Sequence, residues 1–217
     1  MKSIENLEWR YAVKKFDDQK ILEEQKINIL KQAFNLTATS YGLQPIKLLI
    51  IKNKSIQGKL VDHSYNQQQI VQASHLLVIC IDTNLKESDV EKYFERVKEI
   101  RKTPDEIISS FREYLKTVIT EKTSQDLILW AKNQAYLALG NLLTVCANEK
   151  IDSCPMEGFI PKKYDEILGL KEKNLTSVLV VPIGYRAEDD MKTHQMKVRK
   201  KIAVSYTHLT LPTIYSV

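Results

Sequence analysis

Three cations crowd one short stretch near the start of the chain, Arg10-Tyr-Ala-Val-Lys-Lys-Phe-Asp17, and two more stand together near its end, in Lys197-Val-Arg199. Arg and Lys grouped in this way can grip an anion, the guanidinium as a planar fork and the ammonium as a point charge. In an extended segment, residues 197 and 199 share one side. On composition alone, however, a capped and solvated surface stretch explains the first cluster better. Thr39-Ser-Tyr-Gly-Leu-Gln-Pro45 offers hydroxyls and amides to a ligand, although ordinary turn chemistry explains it equally well. In Cys154-Pro-Met-Glu-Gly-Phe159 a Glu-Gly pair between apolar residues suggests a tight turn whose backbone N–H groups face something planar. Taken singly, that too is only a turn.

Familiar chemistry is missing elsewhere. The six glycines are isolated, so neither a Gly-rich dinucleotide turn nor a P-loop is present. His63, His75, His194 and His208 lack ligand spacing to one another or to a cysteine, which argues against zinc. No nucleophile elbow occurs. Cys80, Cys146 and Cys154 sit in apolar settings without C-x-x-C spacing, so buried reduced thiols and a cytoplasmic location are expected.

The elements that must position these residues alternate between helix and strand. Apolar runs at Lys47–Lys52, His75–Asp82 and Ser177–Tyr185 suit strands covered on both faces. Helical stripes are read over Leu22–Leu36, Asp89–Ile100 and Pro104–Thr120, the last two as an excursion over the sheet. The longest helix spans Ser124–Lys150, opened by a capping-box-like Thr123-Ser-Gln-Asp126. Its Leu127–Ala147 stretch is apolar nearly all round, which places it in a core or at a subunit interface.

With 217 residues, 43% hydrophobic and 27% charged, the chain suits one globular domain, taken as residues 1–201. A net charge of +5, dispersed among interleaved acids, fits a phosphate better than nucleic acid. Charged residues run through Met1–Lys20 without an apolar core segment, so no signal peptide is expected, and no run is long enough to span a bilayer. From Ile202 to Val217 the composition changes abruptly to Thr, Ser, Tyr and Leu. That tail is either a β-arm or read-through into non-native sequence, and the abruptness favours the second.

Together the segments resemble the nitroreductase family of FMN-containing NAD(P)H oxidoreductases, which includes dihydropteridine-reductase-like members. The likeness runs from about Ile4 to Arg199 and rests on R-Y-A-V-K-K-F-D, S-Y-G-L-Q-P, Asn66 followed by Ala73-Ser-His, P-M-E-G-F, V-V-P-I-G-Y and K-V-R in register. The resemblance implies an α+β three-layer sandwich: a central, mostly antiparallel sheet flanked by helices, with the long helix at a homodimer interface and FMN across it. Arg10, Lys197 and Arg199 would then hold the flavin phosphate, with Ala12 beside them. Lys14 would face the N1–C2=O edge, where a cation stabilises the charge of the reduced flavin. Asn66 and Gln69 would border the pyrimidine edge. Pro155, Glu157 and Gly158 would line the N5–C4=O side, and Thr39 and Ser40 would reach the partner's flavin. NAD(P)H as co-substrate and a small electron-poor acceptor (nitroaromatic, quinone or pteridine) would alternate over the same flavin, which needs no separate dinucleotide domain.

This sequence departs from the family pattern in places. Ala12 stands where a hydroxyl is common, Gln69 where a second lysine often lies, and Gly42 where Asn is frequent. The first two motivate a second reading, a flavin-binding protein with little turnover. Features expected for flavin destruction or reductive dehalogenation are not seen. Phe94, Phe111 and Tyr114 are the candidates to cover the flavin, though most such aromatics only pack.

Overall fold

The computed structural model describes residues 2–205. Four strands, β1 (Ile46–Ile51), β2 (His75–Asp82), β3 (Asp152–Ser153) and β4 (Leu175–Gly184), form one sheet in the order β1-β2-β4-β3, antiparallel at every pairing. The register sets Leu48 opposite Ile79 and Ile79 opposite Leu179, with a bulge between Ile79 and Cys80. From His75 to Ile81 every residue of β2 is buried, as a continuous apolar run in a central strand requires.

Alternate β2 side chains enter two different cores. Leu77, Ile79 and Ile81 pack with α2 (Glu24–Asn35) and α7 (Ser124–Asn148) on one face. Leu76, Val78 and Cys80 pack on the other with α3 (Lys54–Val61), α4 (Gln69–Gln72) and α8 (Pro161–Leu168). The molecule is therefore the α+β sandwich expected, with helices on both faces. The excursion, α5 (Glu87–Arg101) and α6 (Asp105–Glu121), has a small core of its own built from Val90, Phe94, Ile108, Leu115 and Ile119.

The long helix α7 begins where its cap predicts. Thr123 Oγ1 accepts the Asp126 N–H at 3.2 Å, and the Thr123 hydroxyl donates to the Asp126 carboxylate at 2.7 Å. Its buried face is Ala131, Gln134, Ala135, Ala138, Leu139 and Leu142. Leu129, Tyr136, Leu137 and Gly140 lie exposed on the opposite side, so the all-round apolar pattern divides into a core face and an open face.

The single turn of α4 escaped the sequence reading, and so did three longer helices: α1 (Lys2–Trp9), α3 and α8. Each is eight residues long, too short for periodicity to stand out. Local signals were nonetheless present. Asn53 caps α3 by accepting the Ile56 N–H at 3.1 Å, and α8 opens on Pro161 and stops at Gly169, whose φ of +62° is the left-handed C-cap. The proposed tail begins as a four-residue exposed helix, α9 (Ile202–Ser205), and its residues 206–217 lie outside those described.

Candidate functional site

The cationic segment at residues 10–17 is no free surface stretch. It threads between strand ends: Ala12 bridges Ser153 in parallel, Phe16 bridges Arg186 antiparallel, and the Asp17 N–H donates to the Tyr185 carbonyl at 2.9 Å. Val13 goes into the core, and by alternation Arg10, Ala12 and Lys14 share the other side of the segment, Ala12 half-buried. They meet the C-terminal segment there. Arg10, Ala12 and Lys14 line one cleft of about 380 Å3 with Lys192, Lys197 and Arg199.

The cleft lacks negative charge to match. Arg10 has no carboxylate within ion-pair distance among the described residues, and its Nε is buried without a hydrogen-bond partner. Burial, and then the nearby Arg199, pull the Arg10 guanidinium below its ordinary value. Lys197 is lowered in the same way by burial, Arg10 and Arg199, while its Nζ donates to the Glu8 carbonyl at 2.5 Å. Arg199 finds only the Val198 carbonyl, at 2.7 Å. Cations kept close together with a donor unsatisfied make a site for an anion.

From Lys14 a line of polar contacts leads across the floor. Its Nζ lies 3.7 Å from Sγ of Cys154, and Gln69, almost wholly buried, lies near that thiol. Gln69 Nε2 donates to Gln67 Oε1 at 3.0 Å, and Gln67 Nε2 donates to the Gly158 carbonyl at 3.0 Å. A Cβ at Gly158 would stand 3.2 Å from Gln67 Nε2, so glycine permits this approach. Cys154 and Met156, flanking the half-buried Pro155, are laid along β4 by bonds to Pro182 and Val180. That leaves the N–H groups of Glu157 and Gly158 without a protein acceptor among the described residues, while the Glu157 carboxylate accepts from Tyr136 of α7 at 2.8 Å. Asn66, in the left-handed region at φ 57°, presents an exposed side chain beside this line.

Thr39 and Ser40 are placed elsewhere. Thr39 Oγ1 accepts the Gln44 N–H at 3.2 Å, and the Ser40 N–H donates to Gln134 of α7 at 2.9 Å. Of the aromatic candidates, Phe94 is core, whereas Phe111 and Tyr114 stack at 6.2 Å on the exposed side of the excursion.

Two neighbours went unforeseen. The Arg186 guanidinium lies between the rings of Trp9 (4.3 Å) and Tyr11 (4.5 Å), and its Nε donates to Asp152 at 2.8 Å. Asp190 is buried against the backbone of Lys14. A conjunction of distant residues is what buries each of them, and no spacing in the sequence carries that. Among the described residues no cluster of three or more His, Cys, Asp or Glu could hold a metal, and no helix is long and apolar enough to cross a membrane.

Known proteins share this arrangement of elements. A crystal structure of ydfN from Bacillus subtilis superposes with a TM-score of 0.84 at 16% identity, covering 95% of this chain and 98% of that one. A nitroreductase-type protein of Exiguobacterium sibiricum, solved in complex with FMN, gives 0.82 at 19% identity, covering 95% and 96%. At such identities the likeness concerns the fold. In sequence, YfkO of Bacillus subtilis (strain 168), which carries a provisional name as an NAD(P)H nitroreductase, is 31% identical over 192 residues, 83% of this chain and 87% of its own. A family model described as "Nitroreductase family" matches residues 7–185, from the end of α1 through the close of β4, and the chain belongs to that family.

Proposed function

We propose that this protein is a homodimeric oxidoreductase that binds FMN in the cleft between residues 10–14 and 192–199, takes hydride from NAD(P)H and passes it to a small electron-poor acceptor. The observation that carries this reading is Arg10, a partly buried guanidinium with an orphaned Nε and no carboxylate, facing Lys197 and Arg199. A phosphate monoester suits that donor set. The free N–H groups of Glu157 and Gly158 suit the hydrogen-bonding edge of a planar ring, with Asn66 and Gln69 along the pyrimidine side. The Exiguobacterium sibiricum relative was solved with FMN, which agrees with this assignment.

When bound, FMN supplies a two-electron centre that accepts hydride and returns it. Within this reading the chain's own residues anchor and tune. Arg10, Lys197 and Arg199 hold the phosphate and fix the register of the ring. Lys14 puts a positive charge where reduction brings negative charge, and among the described residues no carboxylate lies within ion-pair distance of it. Ala12, having no hydroxyl, leaves room without a bond. One pocket then serves donor and acceptor by turns. Thr39, Ser40, Phe111 and Tyr114 face a second copy's site, and the open α7 face is where that copy docks.

Residues 1–201 act as one domain in this reading, and truncation after Lys201 is expected to leave flavin content unchanged. Spectroscopy tests the whole proposal. The purified protein is expected to be yellow and to bleach on addition of NADH or NADPH. A yellow protein that does not bleach supports the flavin-binding reading with little turnover. A preparation that stays colourless with added FMN ends the proposal.

A further inference from the structure

Past Gly184 the chain buries a single residue among those described, and it is an acid: Asp190, 4% exposed. We infer that Asp190 is a positioning residue of the anion cleft, a clasp between the segment carrying Arg10 and Lys14 and the segment carrying Lys197 and Arg199.

Its bonds run to both sides. Oδ2 accepts the Lys14 N–H at 3.0 Å, the Lys15 N–H at 3.4 Å and the Tyr11 hydroxyl at 3.2 Å. Oδ1 accepts the Lys192 N–H at 3.0 Å. Thr193, three residues on, hydrogen-bonds the same Tyr11 hydroxyl at 2.9 Å. Burial alone would raise the carboxyl, but the backbone N–H groups of Lys192, Lys14 and Lys15, with the Tyr11 hydroxyl, outweigh it, and the group is held below its ordinary value. Asp190 is thus a buried carboxylate compensated by dipoles rather than by an ion pair.

Nothing apolar shares its task. Met191, Met196 and Val198 are 87%, 92% and 88% exposed, so hydrophobic burial does not pin this stretch. Beyond Ala187, whose N–H donates to the Lys15 carbonyl, the remaining ties among the described residues are the Thr193–Tyr11 hydroxyl bond, an exposed Lys15–Asp189 ion pair and the Lys197 bond to Glu8. An exposed pair contributes little. The geometry of Lys14 and the placing of Lys197 and Arg199 therefore converge on one carboxylate, the group with the most bonds across the two segments.

The ligand in the test rests on the FMN reading, so two readouts are taken on Asp190→Asn, which keeps size but loses charge and one acceptor. These are FMN affinity by fluorescence quenching and amide hydrogen exchange of the apo-protein. FMN binding is expected to weaken about tenfold or more, as loss of a buried charged hydrogen-bond centre implies. Exchange should quicken across residues 188–199 while β2 stays protected as in the wild type. Affinity within about twofold of wild type, or loss of protection in β2 as well, overturns the clasp. Should Asp190→Asn fail to fold, Tyr11→Phe decides, since it keeps the ring over Arg186 and removes only the hydroxyl. Faster exchange at 188–199 supports the clasp, and unchanged exchange overturns it. Wild-type protein that takes up no FMN sinks the flavin reading instead, and hydrogen exchange still judges Asp190.

Discussion

The Lys14 ammonium stands 3.7 Å from the sulfur of Cys154, a thiol with no solvent exposure. Burial pushes that thiol up, and Lys14 and Gln69 only partly offset the rise, so the sulfur stays protonated and neutral. It steers the lysine without cancelling its charge. Lys14→Met is accordingly expected to make the bound flavin harder to reduce. Lys14 is itself exposed in the single chain, so the shift should be near one step of about 30 mV, equivalent to about 1.4 kcal/mol, rather than hundreds. Midpoint potentials of the two proteins at one pH check this; equal values would make Lys14 an ordinary surface lysine.

Arg10 and Arg199 should not contribute alike. Arg10 is half-buried with its Nε sealed from water, whereas Arg199 is exposed and bonded only to its neighbour's carbonyl. Arg10→Ala is expected to cost about 1.5–3 kcal/mol of FMN binding, and Arg199→Ala less than about 1 kcal/mol. Titration of the apo-variants measures both. Unchanged affinity in both would remove the phosphate assignment.

On α7, Leu129 and Leu137 are 60% and 55% exposed on the open face. A charge placed in the middle of a self-complementary apolar contact lacks a partner when that contact is buried. With two copies docked through α7 as proposed, the wild type should sediment as a dimer at micromolar concentration, and Leu137→Glu should sediment as a monomer and release flavin. A wild-type protein that sediments as a flavin-loaded monomer would contradict the two-copy site.

Stability should fall on mild acidification because of His75. The ring is buried, its Nδ1 2.9 Å from the Ser74 hydroxyl, which also accepts the Leu22 N–H. Burial first, and then Lys52, lower its value; Lys54 and Lys31 add to this and Glu24 opposes. The unfolded chain therefore binds the proton more readily than the folded one. This increment is complete above the unfolded value of 6.5 and declines as pH falls through it. Urea unfolding at about pH 7.5 and about pH 5.5 should show the loss, and His75→Gln should remove that increment.

Much of the fold was legible because its strands are continuous apolar runs. His75–Asp82 matches β2 at both ends, and the cap at Thr123 located the start of α7. The short helices α1, α3 and α8 were missed because eight residues give periodicity too little length. In the site, Arg10, Ala12, Lys14, Lys197 and Arg199 were singled out by motif and do share one cleft. Asp190 was invisible for a physical reason: in the sequence it is the last of three consecutive acids, Glu188-Asp189-Asp190, in a polar stretch. Its burial depends largely on donors from the other end of the chain, the N–H groups of Lys14 and Lys15 and the Tyr11 hydroxyl.

Lys14 and Asp190 are 176 residues apart in the chain. Closing so long a loop yields its contacts only after most of the polypeptide is in place. During synthesis, then, a nascent chain still lacking its last stretch presents Arg10 and Lys14 with nothing to complete them. Premature termination between residues 185 and 189 should give a product whose sheet strands are all present but which retains no flavin. Colour in a translation reaction would therefore report chains that extend past the 190–199 segment and exclude those that stop before it.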